Sequence, residues 1–108
     1  MSTFDDREKG FERKFAHDAE MQFKAEARRN KLLGLWAADR MGITGDDAEA
    51  YAKEVIAADF EEVGHEDVYR KVAGDFEKKG MPVDETEIRR QMDTLLAEAK
   101  AQLLSEHD

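Results

Sequence analysis

Arg28, Arg29, Asn30 and Lys31 form a dense basic turn, and Trp36, the sole tryptophan, follows five residues after Lys31. Guanidinium groups can fork a phosphate and an indole can stack on a base, so Arg28, Arg29, Lys31 and Trp36 are candidates for holding a nucleotide. The same turn also suits a solvated basic face drawn to acidic helices of its own domain, which requires no ligand. Neither the phosphate-binding glycine loop nor the dinucleotide fingerprint occurs in the chain.

Other chemistry is less well supplied. His17, His65 and His107 are the only imidazoles. None has a second histidine placed as helical metal pairs require, so no metal site is expected. His17, beside the N-terminal segment, has the chemistry of a pH sensor but equally that of a polar surface residue. Carboxylate pairs recur at Asp5–Asp6, Asp46–Asp47, Glu61–Glu62 and Glu66–Asp67. General acid–base work needs carboxylates withdrawn from water so that their pKa values separate. These pairs fall at helix starts and turns, where capping and the helix dipole already account for them. Cysteine is absent, which removes disulfides, thiolate nucleophiles and zinc–thiolate sites. The expectation is a protein that is not an enzyme.

A different kind of chemistry is concentrated in the first fifteen residues, MSTFDDREKGFERKF. Phe4, Phe11 and Phe15 stand among charged residues and Gly10. At the helical angular increment, Phe11 and Phe15 fall about 20° to either side of Phe4, so a helix here carries one narrow aromatic stripe. That stripe is too thin to dock firmly on its own domain and too apolar for a solvated tail. Gly10 costs helix about 1 kcal/mol relative to Ala, and an isolated helix this short is marginal in water. The spacing therefore predicts a mobile arm over residues 1–17 that folds against a partner.

Elements that could carry such an arm follow it. With 108 residues, 40% of them charged and a single proline, the chain suits one helical domain. One helical pattern runs from about Asp18 to Met41 with Met21, Ala25, Leu32, Leu35 and Trp36 on its apolar side, stopped by Gly42. A second follows Thr44, which is placed to cap with Asp47, and shows Ala48, Tyr51, Ala52, Val55, Ile56 and Phe60. A third starts near His65 with Val68, Tyr69, Val72, Ala73 and Phe76, ending at Gly80. A fourth starts with an Asp84–Glu87 capping box after Pro82 and carries Ile88, Met92, Leu95, Leu96, Ala99 and Leu103. Short connections favour antiparallel neighbours. The fold expected is all-α: a four-helix bundle over residues 18–108 behind the arm.

Charge narrows the partners. The net charge is −9. Residues 1–40 hold nine bases against eight acids, and residues 41–108 hold eight against eighteen. A nucleic-acid binder would show a dominant basic footprint, so none is expected. No apolar run approaches a membrane span, no secretion segment opens the chain, and the arm lacks the Lys/Arg-rich face of membrane-surface helices.

The stretches FDDREKGFERKFAHDAEMQFKAEARRNKLLGLWAA and TGDDAEAYAKEVIAADFEEVGHEDVYRKV resemble the zeta subunit of the alphaproteobacterial F-type ATP synthase, most specifically at Phe4–Arg7, Phe15–Glu20, Phe23–Asn30 and Asp59–Glu62. The resemblance implies a four-helix bundle that inhibits ATP hydrolysis by inserting its N-terminal segment between alpha and beta subunits beside gamma. The arm residues Phe4, Asp5, Asp6, Arg7, Glu8, Phe11, Arg13 and Phe15 would then bind the partner. It also implies an ADP or ATP ligand on the bundle, no required cofactor, a monomer when free, and a cytoplasmic site of action at the inner membrane. A nucleotide-binding sensor or helical adaptor without inhibitory action is the competing reading.

Overall fold

The structure, a computed structural model, describes residues 19–59 and 66–107. The arm, His17, Phe60 and His65 lie outside the described residues. Four helices make up the described part: α1 (Ala19–Arg40), α2 (Gly45–Ala58), α3 (Glu66–Lys78) and α4 (Glu85–His107). The chain is thus an all-α bundle, as its periodicity predicts.

Local chemistry sets the helix ends. At the end of α1, the Ile43 N–H donates to the Ala38 carbonyl (2.8 Å) and the Gly42 N–H to that of Asp39 (3.1 Å), with Gly42 at φ 75°. Met81, Gly80, Phe76 and Glu77 repeat the arrangement after α3. Both are Schellman stops, and each needs a residue that tolerates positive φ. The Asp84 carboxylate accepts the Glu87 N–H at 3.2 Å, the N-cap half of the expected box, while the Glu87 carboxylate pairs with Arg40 at 3.1 Å. The expected Thr44–Asp47 box is not formed. Thr44 stands at the N-cap in extended conformation but makes no side-chain bond. Asp46 and Asp47 still occupy the first turn, where they complement the helix dipole.

α1 and α4 are long antiparallel partners. Arg28 pairs with Glu106 near one end and Arg40 with Glu87 near the other. α2 and α3 are shorter and also run antiparallel, joined by Tyr51 to Asp75 and by Glu54 to Lys71. Together these elements make one wide end and one narrow end. At the wide end Leu33, Ala37, Val55, Val68, Val72, Phe76, Ile88 and Met92 form the main core. At the narrow end a small cluster of Met21, Ala25 and Leu103 joins α1 to α4, with Leu96 and Leu104 packed beside it.

The buried side of α1 differs from the expected stripe. Leu33, Ala37 and Ala38 are fully buried, whereas Leu32, Leu35 and Trp36 are half-buried. The reason is that α1 is covered by α2 on one flank and α4 on another, so no single stripe describes it. A Cβ at Gly34 would lie 2.6 Å from the Ala52 Cα, so the α1 and α2 backbones approach too closely there for any side chain.

Candidate functional site

At the narrow end, one face of α1 lines a groove among the described residues. Phe23, Ala27 and Lys31 repeat every four residues along it, with Lys24 and Arg28 alongside. Ile56 from α2 and Leu103 and Glu106 from α4 complete the walls of a groove of about 540 Å³. Its floor is apolar and its rim is mainly basic. Phe23 is 53% exposed, the large hydrophobic residue that the described surface displays. Such a side chain at the mouth of a groove marks a contact surface more readily than a core position.

The rim cations differ in their commitments. Arg28 Nη1 donates to Gln102 Oε1 and Glu106 Oε1, both at 2.9 Å, and Nη2 donates to Glu106 Oε2 at 3.0 Å. This forked hydrogen bonding to Glu106 raises the Arg28 pKa above its ordinary value. Lys24 pairs with Glu20 at 3.2 Å. Lys31 is exposed and has no ion pair among the described residues.

The structure divides the four residues singled out for a nucleotide. Arg28 and Lys31 share the groove. Arg29 turns away from it, 1% exposed, and its Nε donates to Asn30 Oδ1 at 2.6 Å. Burial pushes the Arg29 pKa down, while the charges of Asp59, Glu26 and Asp93 oppose that shift. Arg29 is therefore a buried cation among the bundle's own acids. Trp36 packs on the main core, its ring 6.0 Å from that of Phe76 and capped by the Arg40 guanidinium at 5.1 Å. One indole face is thereby committed. The basic turn is contiguous in sequence, but a 100° rotation per residue distributes it over different faces.

A second recess, of about 370 Å³, lies at the wide end between Met41, Ile43, Tyr51, Glu54, Lys71, Asp75, Lys78 and Lys79. Its polar groups are matched to one another: the Tyr51 hydroxyl donates to Asp75 at 2.8 Å, and Lys71 pairs with Asp75 and Glu54. It reads as a polar seam between α2 and α3. Among the described residues, no three His, Cys, Asp or Glu side chains gather as a metal site would require. No described helix is long and apolar enough to cross a membrane. The arm residues Phe4, Asp5, Asp6, Arg7, Glu8, Phe11, Arg13 and Phe15 lie outside the described residues.

An all-α bundle with an apolar, basic-rimmed groove has the form of a helical binding module. The family described as ATPase inhibitor subunit zeta matches residues 1–102, and the chain belongs to that family. Its role is accordingly regulatory and inhibitory, in association with the ATP synthase. A structure solved by solution NMR is similar to it at 60% identity with a TM-score of 0.71, covering 80% of this chain and 98% of its own. No curated protein matches the chain.

Proposed function

We propose that this protein inhibits ATP hydrolysis by an F-type ATP synthase through its N-terminal arm, residues 1–17. The arm becomes helical as it enters a catalytic alpha/beta interface next to gamma, while the bundle of residues 18–108 stays outside as an anchor. The observation that carries this reading is that the family match takes in the whole arm as well as the bundle, and that the arm contains the stripe of Phe4, Phe11 and Phe15. A rotary enzyme reshapes each catalytic interface as its shaft turns. A wedge that prefers one shape blocks the next step without touching the reacting phosphates.

Burial of each phenylalanine contributes about 2 kcal/mol or more. Asp5, Asp6, Arg7, Glu8 and Arg13 set register and partner choice by pairing across the cleft. The cost of ordering the arm offsets part of that gain and keeps the inhibition reversible. The protein acts in the cytoplasm as a monomer until it meets the enzyme.

Deletion of residues 2–15 tests the proposal. The expected product is a folded bundle, by circular dichroism, that leaves hydrolysis by the isolated catalytic head unaffected at concentrations where the full chain inhibits. Full inhibition by the shortened chain would remove the arm from the mechanism. The double variant Phe4→Ala/Phe11→Ala should lose most of the inhibition with the bundle intact.

A further inference from the structure

We infer that one internal water molecule binds between α1 and the end of α2, accepting a hydrogen bond from Asn30 and donating to Glu26 and Asp59. Its place is a cavity of about 10 Å³. Glu26, Ala27 and Asn30 line it from α1, with Phe23 at one side, and Ile56 and the C-cap residue Asp59 line it from α2. The room is about that of one water, which needs roughly two to four polar partners to stay bound. Half of the lining is polar and supplies them, as one amide and two carboxylates.

Asn30 gives the site its direction. The residue is 1% exposed, and its Oδ1 accepts the Arg29 Nε–H at 2.6 Å. The guanidinium can only donate, so the amide oxygen must face it and Nδ2 is the group left over. Nδ2 has no hydrogen bond among the described residues. A buried donor without an acceptor is costly, and an acceptor in the adjoining cavity removes that cost. Glu26 and Asp59 keep oxygens for the other side of such an acceptor. Glu26 Oε1 takes the Gln22 Nε2–H at 3.3 Å, which leaves Oε2. The Asp59 carboxylate has no hydrogen bond among the described residues.

Charge decides which small species fits. Arg29, equally buried, already lies in the field of Asp59, Glu26 and Asp93. A second cation would meet that guanidinium and the N–H face of Asn30, which repel it. An anion would meet the two carboxylates. Water accepts from the amide and donates to both carboxylates, and so matches all three at once. Bound there, it ties the last turn of α2 to α1 while keeping the two acids apart.

Water–protein NOE and ROE measurements on the full-length wild type test this. A long-held water gives NOE and ROE peaks of opposite sign, whereas surface water and proton exchange do not. The Asn30 side-chain amide and the Ala27 methyl protons should show that pattern, and its absence at the amide overturns the inference. Asn30→Asp keeps an acceptor for Arg29 but turns a second oxygen toward the cavity. It should abolish the pattern at Ala27 and speed amide exchange at Ile56 and Ala58 several-fold. A pattern that persists at Ala27 removes Asn30 as the donor and also overturns the inference. The wild-type spectra decide the question even where that variant fails to fold. Replacing sodium by tetramethylammonium at equal ionic strength separates the other occupant. Unchanged Asn30 signals are expected. A shift that reverses when sodium returns assigns the cavity to a metal cation, against the proposal.

Discussion

The two ends of the bundle are built on the same pair of long helices, α1 and α4, but differ in what covers them. At the wide end α2 and α3 close over the pair, and the main core includes fully buried Leu33, Val55, Val68, Val72 and Ile88. At the narrow end only Met21, Ala25 and Leu103 are buried in the cluster, and Phe23 projects beside them. The wide end supplies the packing that sets the fold. The narrow end, from which the arm leads off, keeps apolar surface exposed among the described residues, at Phe23. Close packing and exposed apolar surface are thus separated along the axis of the described bundle.

The sharpest way to break that comparison is to remove equal volumes from both ends. Leu33→Ala at the wide end should lower unfolding free energy by about 2–5 kcal/mol, the cost of a cavity that close-packed neighbours cannot fill. Leu103→Ala should cost about 1–2 kcal/mol, because its site borders the open groove and can relax or admit water. Urea unfolding of the two variants, followed by circular dichroism, reads the difference. Equal costs would mean that the two clusters behave as one core.

The wide end was the more legible in the sequence. The stripe Tyr51, Ala52, Val55 and the stripe Val68, Val72, Phe76 name buried residues of α2 and α3 directly, because each short helix buries one face. α1 was not legible in that way. A helix packed on two flanks buries Leu33 and Arg29 along with Met21 and Ala25, and its periodicity no longer singles out one face. Gly34 in the middle of Leu-Leu-Gly-Leu-Trp was a usable sign of close backbone approach. The groove was hidden for a different reason. Ile56 and Leu103 reach it from helices distant in sequence, and only the turn-by-turn rotation of α1 separates Arg28 and Lys31 from Arg29 and Trp36.

The seam that closes the wide end should be sensitive to alkali. Burial, followed by the hydrogen bond to Asp75 and the charges of Asp75 and Glu54, raises the Tyr51 pKa well above its ordinary value. Lys71 lies over the same ring at 5.3 Å. The folded state therefore holds the phenolic proton more tightly than the unfolded chain does. The resulting stability is complete below the unfolded value of about 10 and declines as the pH rises above it, by about 1.4 kcal/mol per pH unit until the folded group also ionises. Unfolding measured between pH 9 and 11 should show that decline in the wild type. Tyr51→Phe should lose about 1 kcal/mol at neutral pH with its hydrogen bond and show a shallower alkaline decline. An identical alkaline slope in both proteins would place the sensitivity elsewhere.

The smallest effect belongs to the tie across the narrow end. Arg28 and Glu106 make a forked pair from α1 to α4, but the Glu106 side chain is more than half exposed. Water and salt screen such a pair, and holding two long side chains in one geometry costs entropy. A double-mutant cycle with Arg28→Ala and Glu106→Ala should return a coupling of about 0.2–1 kcal/mol that shrinks as salt is added. Its structural consequence should be local. Amide exchange should quicken in the last turns of α4 and around Phe23 while the exchange of Val55 and Val72 is unchanged, because those amides open only when the main core does. Faster exchange at both ends would show that the tie supports the whole bundle. Exchange confined to the narrow end would show that this end opens independently, as a surface that adapts to a partner must.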